Sequence, residues 1–120
     1  MSTPPPSSDD AAIRALEALV QEIDRSVEEL QRARVRAVQL LADRRAGRPW
    51  LELVTAEARP LVVESISTVL SALATAGHTW RREEAAALQR EQVSINRIAA
   101  LFGVTRQRIS ALLKGTDPTG

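Results

Sequence analysis

The fold is decided by residues 94–114, which read SINRIAALFGVTRQRISALLK. Apolar residues recur at helical spacing on both sides of Gly103. Ser94 and Thr105 each precede one of these runs, where a hydroxyl can accept hydrogen bonds from the free backbone N–H groups of a helix start. Glycine adopts a left-handed backbone without a Cβ penalty, so Gly103 suits a sharp turn. We therefore predict two short helices joined by a tight turn at Gly103.

This pattern resembles the helix-turn-helix of DNA-binding regulators. Ala99 is small enough to let the two helices approach closely. The apolar residues that would fill the wedge between the helices are Ile98, Phe102, Val104, Ile109 and Leu112. The run LFGVTRQRI, residues 101–109, is also similar to the last helix-turn-helix of bacterial sigma factors, in region 4. The rest of the chain shows none of the core-binding or promoter-melting regions of sigma factors, so the resemblance implies a DNA-reading fold and not the sigma function.

A simpler interpretation is two ordinary amphipathic core helices with a glycine C-cap. The charge distribution favours the DNA-binding interpretation. The net charge of the whole chain is only +1, but residues 78–115 carry six Arg and one Lys against three Glu. Residues 95–114 contain four basic residues and no acid. A basic helix pair without acids is what a polyphosphate partner requires.

The resemblance implies that the helix over residues 105–114 enters the major groove of DNA. The residues expected to read bases are Thr105, Arg106, Gln107, Ser110 and Ala111. By geometry, Arg106 suits guanine, Gln107 suits adenine, and Ala111 can touch a thymine methyl group. The side chains expected to hold phosphates are Arg97, Arg108 and Lys114, together with the hydroxyl of Ser94 or Thr105.

A long helix is predicted over residues 9–46, which contain no Gly or Pro. Its apolar residues repeat at alternating spacings of three and four, as in a heptad seam. The seam consists of Ile13, Leu16, Val20, Ile23, Val27 and Leu30. Branched residues at the a positions with mainly Leu at d favour parallel two-stranded coiled coils, which predicts a homodimer. The alternative, that this amphipathic helix packs within its own monomer, stays open.

Between these segments the spacing predicts helices over about residues 49–58 and 60–76. We expect Gly77 to end the second of them and His78 to lie in a turn. Thr79 would then cap a supporting helix over residues 80–91. The predicted fold is all-α, with a long coiled-coil-like N-terminal helix, a helical middle region and a C-terminal trihelical helix-turn-helix. The predicted divisions are a disordered tail 1–8, a dimerisation region 9–77, a DNA-binding domain 78–115 and a tail 116–120.

The function expected from these features is that of a homodimeric transcriptional regulator that binds double-stranded DNA. The sequence contains no Cys, one His and no Gly-rich phosphate loop, so we expect no enzyme activity, no cofactor and no metal site. No segment is apolar enough for a membrane span, and the N-terminus is not a secretory signal, which predicts a cytoplasmic, nucleoid-associated protein. The alternative is a protein–protein adaptor whose coiled coil binds the transcription machinery or a scaffold. The operator sequence, the direction of regulation and any effector stay open.

Overall fold

A computed structural model describes residues 8–115, which form five α-helices and no strand. The helices are α1 (Ser8–Arg45), α2 (Trp50–Ala56), α3 (Val62–Arg90), α4 (Ile95–Phe102) and α5 (Arg106–Lys114). The all-α prediction is confirmed. Of the predicted tails, only Ser8 lies within the described residues, and it begins α1.

The predicted helix break at Gly77 is wrong. Residues 62–90 form one continuous helix, so His78 and Thr79 lie inside α3 and not in a turn. Gly77 has no positive φ, unlike Gly47, which follows α1. A glycine within a helix costs only about 1 kcal/mol relative to alanine, which helical packing on both sides of the glycine can outweigh.

Helix α2 is shorter at both ends than the spacing predicts, and α3 begins two residues later than predicted. Pro49 stands as the extended N-cap of α2 and not as its first helical residue, and α2 ends at Ala56. Helix α3 begins at Val62, because two carboxylates satisfy the backbone there: Glu57 Oε1 accepts from the Val62 N–H (2.9 Å) and Glu64 Oε1 from the Leu61 N–H (2.8 Å).

The described chain forms two compact units, and α1 and α3 each contribute a segment to both. We call Val20–Thr75 the hairpin unit. Residues 8–19 and 76–115, the described part of the other unit, are called the α4/α5 unit.

In the hairpin unit, the segments of α1 and α3 run antiparallel. Arg36 of α1 donates from Nη2 to the carbonyl oxygen of Ala58 (2.7 Å), just before α3. About two to four turns earlier in α1, Ser26 and its neighbours line a groove with Val69 and Ala72 of α3. The buried residues of this unit are Ser26, Ala33, Leu53 and Val69. Small residues on α1 therefore face α3.

In the α4/α5 unit, one apolar core joins three helices. Its buried members are Ala85 of α3, Ile98 and Ala99 of α4, and Ile109 and Leu112 of α5. The partly buried side chains packed against them are Leu88, Val93, Ile95, Phe102, Val104 and Leu113. The wedge residues expected from the sequence all belong to this core or pack against it.

Candidate nucleic-acid interface

The turn between α4 and α5 has the geometry that its sequence predicts. Gly103 adopts a left-handed conformation (φ 69°, ψ 32°). The Val104 N–H donates to the Ala99 carbonyl oxygen (3.0 Å), which satisfies an end group of α4. Ser94 Oγ accepts from the Arg97 N–H and Thr105 Oγ1 from the Arg108 N–H, each at 3.1 Å. Both predicted N-caps are confirmed, and each hydroxyl keeps its own proton for donation.

The outer face of α5 lines an open depression of about 470 Å³. Its lining residues are Arg106, Gln107, Ser110, Ala111 and Lys114. They recur at helical spacing, so they form one face of α5, while Ile109 and Leu112 on the other side enter the core. Four of the five residues expected to read bases therefore share one accessible surface. Thr105, the fifth, is exposed at the N-cap of α5.

The basic residues of α4 and α5 carry no ion pair within residues 8–115. Seven arginines of the described chain pair with carboxylates, and all seven lie outside these two helices. The basic side chains of α4 and α5, none of which has such a partner, are Arg97, Arg106, Arg108 and Lys114. All four are exposed. Their charge is therefore available to an anionic partner.

The predicted phosphate-holding residues occupy different sides of α4 and α5. Arg97 lies in the first turn of α4 and Lys114 in the last turn of α5. Arg108 lines a second depression, of about 230 Å³, with His78 and Arg81 of α3. The Arg81 guanidinium stacks over the Phe102 ring, 4.1 Å from its centroid, and also pairs with Glu84 (3.3 Å).

His78 and Arg81 are interface candidates that the sequence interpretation missed. They lie three residues apart on one helix, so their side chains share a face beside Arg108. The predicted turn at residues 77–79 hid this relation. A continuous helical reading of α3 would have placed both residues on the same face.

The six residues of the predicted heptad seam are all exposed within the single chain. Their exposed fractions run from 41% for Leu16 to 55% for Ile13. Helix α1 instead turns a neighbouring set of small residues inward, Ala12, Ala15, Ser26 and Ala33. The apolar seam is therefore accessible to a partner.

No protein-family model, no curated protein and no solved structure matches this chain. Within residues 8–115, none of the helices combines the length with the apolar character that crossing a bilayer demands.

Proposed function

We propose that the protein binds double-stranded DNA sequence-specifically as a homodimer and acts as a transcriptional regulator. The C-terminal part of α3 with α4 and α5 would form a trihelical helix-turn-helix. In it α5 is the recognition helix that enters the major groove. The observation that carries the proposal is the outer face of α5, whose side chains line one open, acid-free surface.

The proposed DNA contacts divide into base-reading and phosphate-binding side chains. Arg106 and Gln107 lie in the first turn of α5, where bidentate hydrogen bonds to guanine and adenine are geometrically suited. Ala111 offers a methyl group to thymine. Arg97, Arg108 and Lys114 hold phosphates, supported by the N-cap hydroxyls and by His78 and Arg81.

The test is the salt dependence of binding to a selected site and to a random duplex. Sites are first selected from random DNA, and affinity is then measured across salt concentrations. A unit that places about four cations on phosphates gives a slope of log K against log salt of about −3.6, because each phosphate contact contributes about −0.9, and a dimer with both units bound gives about twice that slope. A flat salt dependence on both duplexes contradicts DNA binding.

The second candidate function is that of a protein–protein adaptor, and the exposed apolar seam of α1 favours it. In that case partner binding depends on Ile23 and Val27, while charge changes on α5 have no effect. Reversing the charge of Arg106 and Lys114 together separates the two functions. Loss of duplex binding by this variant supports the DNA-binding proposal. The adaptor is supported if this variant behaves like the unchanged protein while Ile23→Asp or Val27→Asp loses partner binding.

A further inference from the structure

The hairpin unit carries an exposed apolar stripe on each of its two long helices. On α1 the stripe includes Val20, Ile23, Val27 and Leu30, each 42–50% exposed. On α3 it consists of Val63, Ile66 and Leu70, each at least 36% exposed. Large apolar side chains that recur at helical spacing on both helices mark a surface for a partner.

The two stripes lie on the same side of the hairpin. On α1 the buried Ser26 is followed by Val27, and on α3 the buried Val69 is followed by Leu70. Each step of one residue along a helix turns the direction of the side chain by about 100°. The sense of this rotation is the same for every helix when it is viewed from its own N-terminal end. Because α1 and α3 run antiparallel here, these rotations bring both stripes to one face of the pair.

The opposite face confirms this geometry. Arg25 and Thr68 each precede a buried residue, and they line one groove together with Glu22 and Glu29. The exposed side chains on this side are charged or hydroxylic, and Arg25 pairs with Glu22, three residues earlier on α1, at 3.0 Å. The hairpin unit therefore has one polar face and one apolar face. We call the apolar one, formed by the two stripes, the apolar face.

Charge along α1 indicates which partner covers the apolar face. Arg34 stands in the line of the α1 stripe, and Asp24 lies ten residues before it at the stripe's edge. Neither forms an ion pair within residues 8–115. A parallel pairing of two α1 helices would set Arg34 against Arg34 of the other copy. An antiparallel pairing sets Arg34 of each copy against Asp24 of the other copy.

The centre of the α3 stripe is level with the centre of this charge pair, and the exposed Val20 and Val38 of α1 lie equally far on either side of it. Arg36 meets Ala58 and Ser26 lies near Val69, so Ile66 is level with about residue 29 of α1. Residue 29 is also midway between Asp24 and Arg34. A two-fold axis at this level superimposes the α3 stripe on its own copy, sets Val20 level with Val38 of the other copy and pairs the opposite charges at the same time.

We propose that, in the homodimer of the proposed function, on which this rests, two hairpin units pack apolar face to apolar face. They form an antiparallel four-helix bundle in which α1 lies against α1 and α3 against α3. The occupant of the apolar face is a second copy of this chain. The interface thus differs from the parallel two-stranded coiled coil that the heptad seam alone favours.

Cysteine cross-linking tests the direction of pairing, because the chain has no cysteine of its own. Val20 and Val38 are equally far from residue 29, on opposite sides, and both are exposed. Val20→Cys and Val38→Cys are prepared separately, mixed, allowed to exchange and treated with a short bismaleimide. We expect a cross-linked heterodimer in the mixture and little cross-linking of either variant alone, since two copies of residue 20 would lie about 27 Å apart. Efficient cross-linking of Val20→Cys alone means parallel pairing and overturns the proposal.

A matched pair of substitutions on α3 tests whether its stripe takes part. Ile66→Asp puts a charge into the apolar face, and Thr68→Asp puts the same charge on the polar side. We expect Ile66→Asp to sediment as a monomer at concentrations where Thr68→Asp and the unchanged protein are dimers, with helix content retained in all three. If Ile66→Asp is still a dimer, the α3 stripe takes no part in the interface and the two copies pair through α1 alone. That result overturns the four-helix bundle.

Failure of the bundle is distinguishable from failure of DNA binding. The basic residues of α4 and α5 lie outside the hairpin unit. An Ile66→Asp monomer should keep its salt-dependent binding to a random duplex. If the unchanged protein does not bind duplex DNA, the proposed function is wrong, whatever oligomeric state sedimentation shows.

Discussion

At Gly103 the backbone conformation alone decides which side chains are tolerated. A Cβ built there would meet no atom within 4 Å, so a substitution costs strain from the positive φ and not a steric clash. We expect Gly103→Val to lower the free energy of unfolding by about 1–2 kcal/mol, because a β-branched residue is disfavoured in the left-handed region. Gly103→Asn, whose side chain tolerates that region, should lose clearly less. Thermal unfolding compares the two variants, and equal losses would show that strain at φ is not the cause.

Substitutions of Arg106 and Arg97 distinguish base recognition from phosphate binding. Arg106 begins α5 on the face that lines the larger depression, whereas Arg97 lies in the first turn of α4. Arg106→Ala should lose about 1–3 kcal/mol on the selected site and relax the preference at one base pair. Arg97→Ala should weaken all sequences about equally and reduce the salt slope by about 1.

Duplex titrations on cognate and random DNA measure both effects. Equal losses on both duplexes for Arg106→Ala would mean that it contacts the backbone. Sequence would then be read by Gln107 or Ser110, or through DNA shape.

At the scale of single helices, Gly77 is a weak point in α3. It lies inside the helix, and a Cβ there would meet no atom within 4 Å. Gly77→Ala should therefore raise the free energy of unfolding by about 1 kcal/mol, since alanine has the higher helix propensity. Urea unfolding of the two proteins measures the difference. A loss of stability would show that the glycine is required by a helix arrangement other than the one described.

The sequence predicts well those elements whose signals are local. The caps at Ser94 and Thr105 and the turn at Gly103 each depend on one residue and its neighbours, and the structure has all three. The break at Gly77 was predicted from the same kind of signal and is wrong. A glycine with a helical φ is indistinguishable in sequence from a glycine that ends a helix.

Helix α1 shows why the face that packs within the chain could not be predicted. Its most apolar seam, Ile13 to Leu30, is exposed, while the buried positions are small residues such as Ser26 and Ala33. Hydrophobic periodicity ranks residues by apolar character, so it selects the first set. The choice of the inner face depends on how closely α3 approaches, which small side chains permit. The outer face of α5, by contrast, followed directly from helical spacing once its caps were known.

At the scale of the whole molecule, dimerisation and DNA affinity should be coupled. Val20→Asp or Ile23→Asp places a charge in the exposed seam of α1, and Gln21→Asp places the same charge beside it, off the seam. If two copies bind one site, binding of the first copy raises the effective concentration of the second, which increases the affinity by a factor of about 10²–10⁴. The monomeric variants lose this gain.

Sedimentation and titration on a two-half-site duplex, run on the same samples, check this coupling. The Gln21→Asp variant should match the unchanged protein in both measurements. Monomers of Val20→Asp that bind as tightly as the dimer would show that each copy acts alone on DNA.

Lys114, exposed in the last turn of α5, is the only lysine of the chain, since the other 15 basic residues are arginines. Reagents that acylate amines therefore modify one side chain, and it belongs to the proposed recognition helix. Bound duplex should slow acylation of Lys114 relative to a chain-terminal amine, as read by mass spectrometry of the digested protein. The same reaction rate with and without DNA would place α5 outside the contact. An acetyl group on this single residue would also remove one charge without any change of sequence, so lysine acetylation has one position at which it could weaken the proposed binding to DNA.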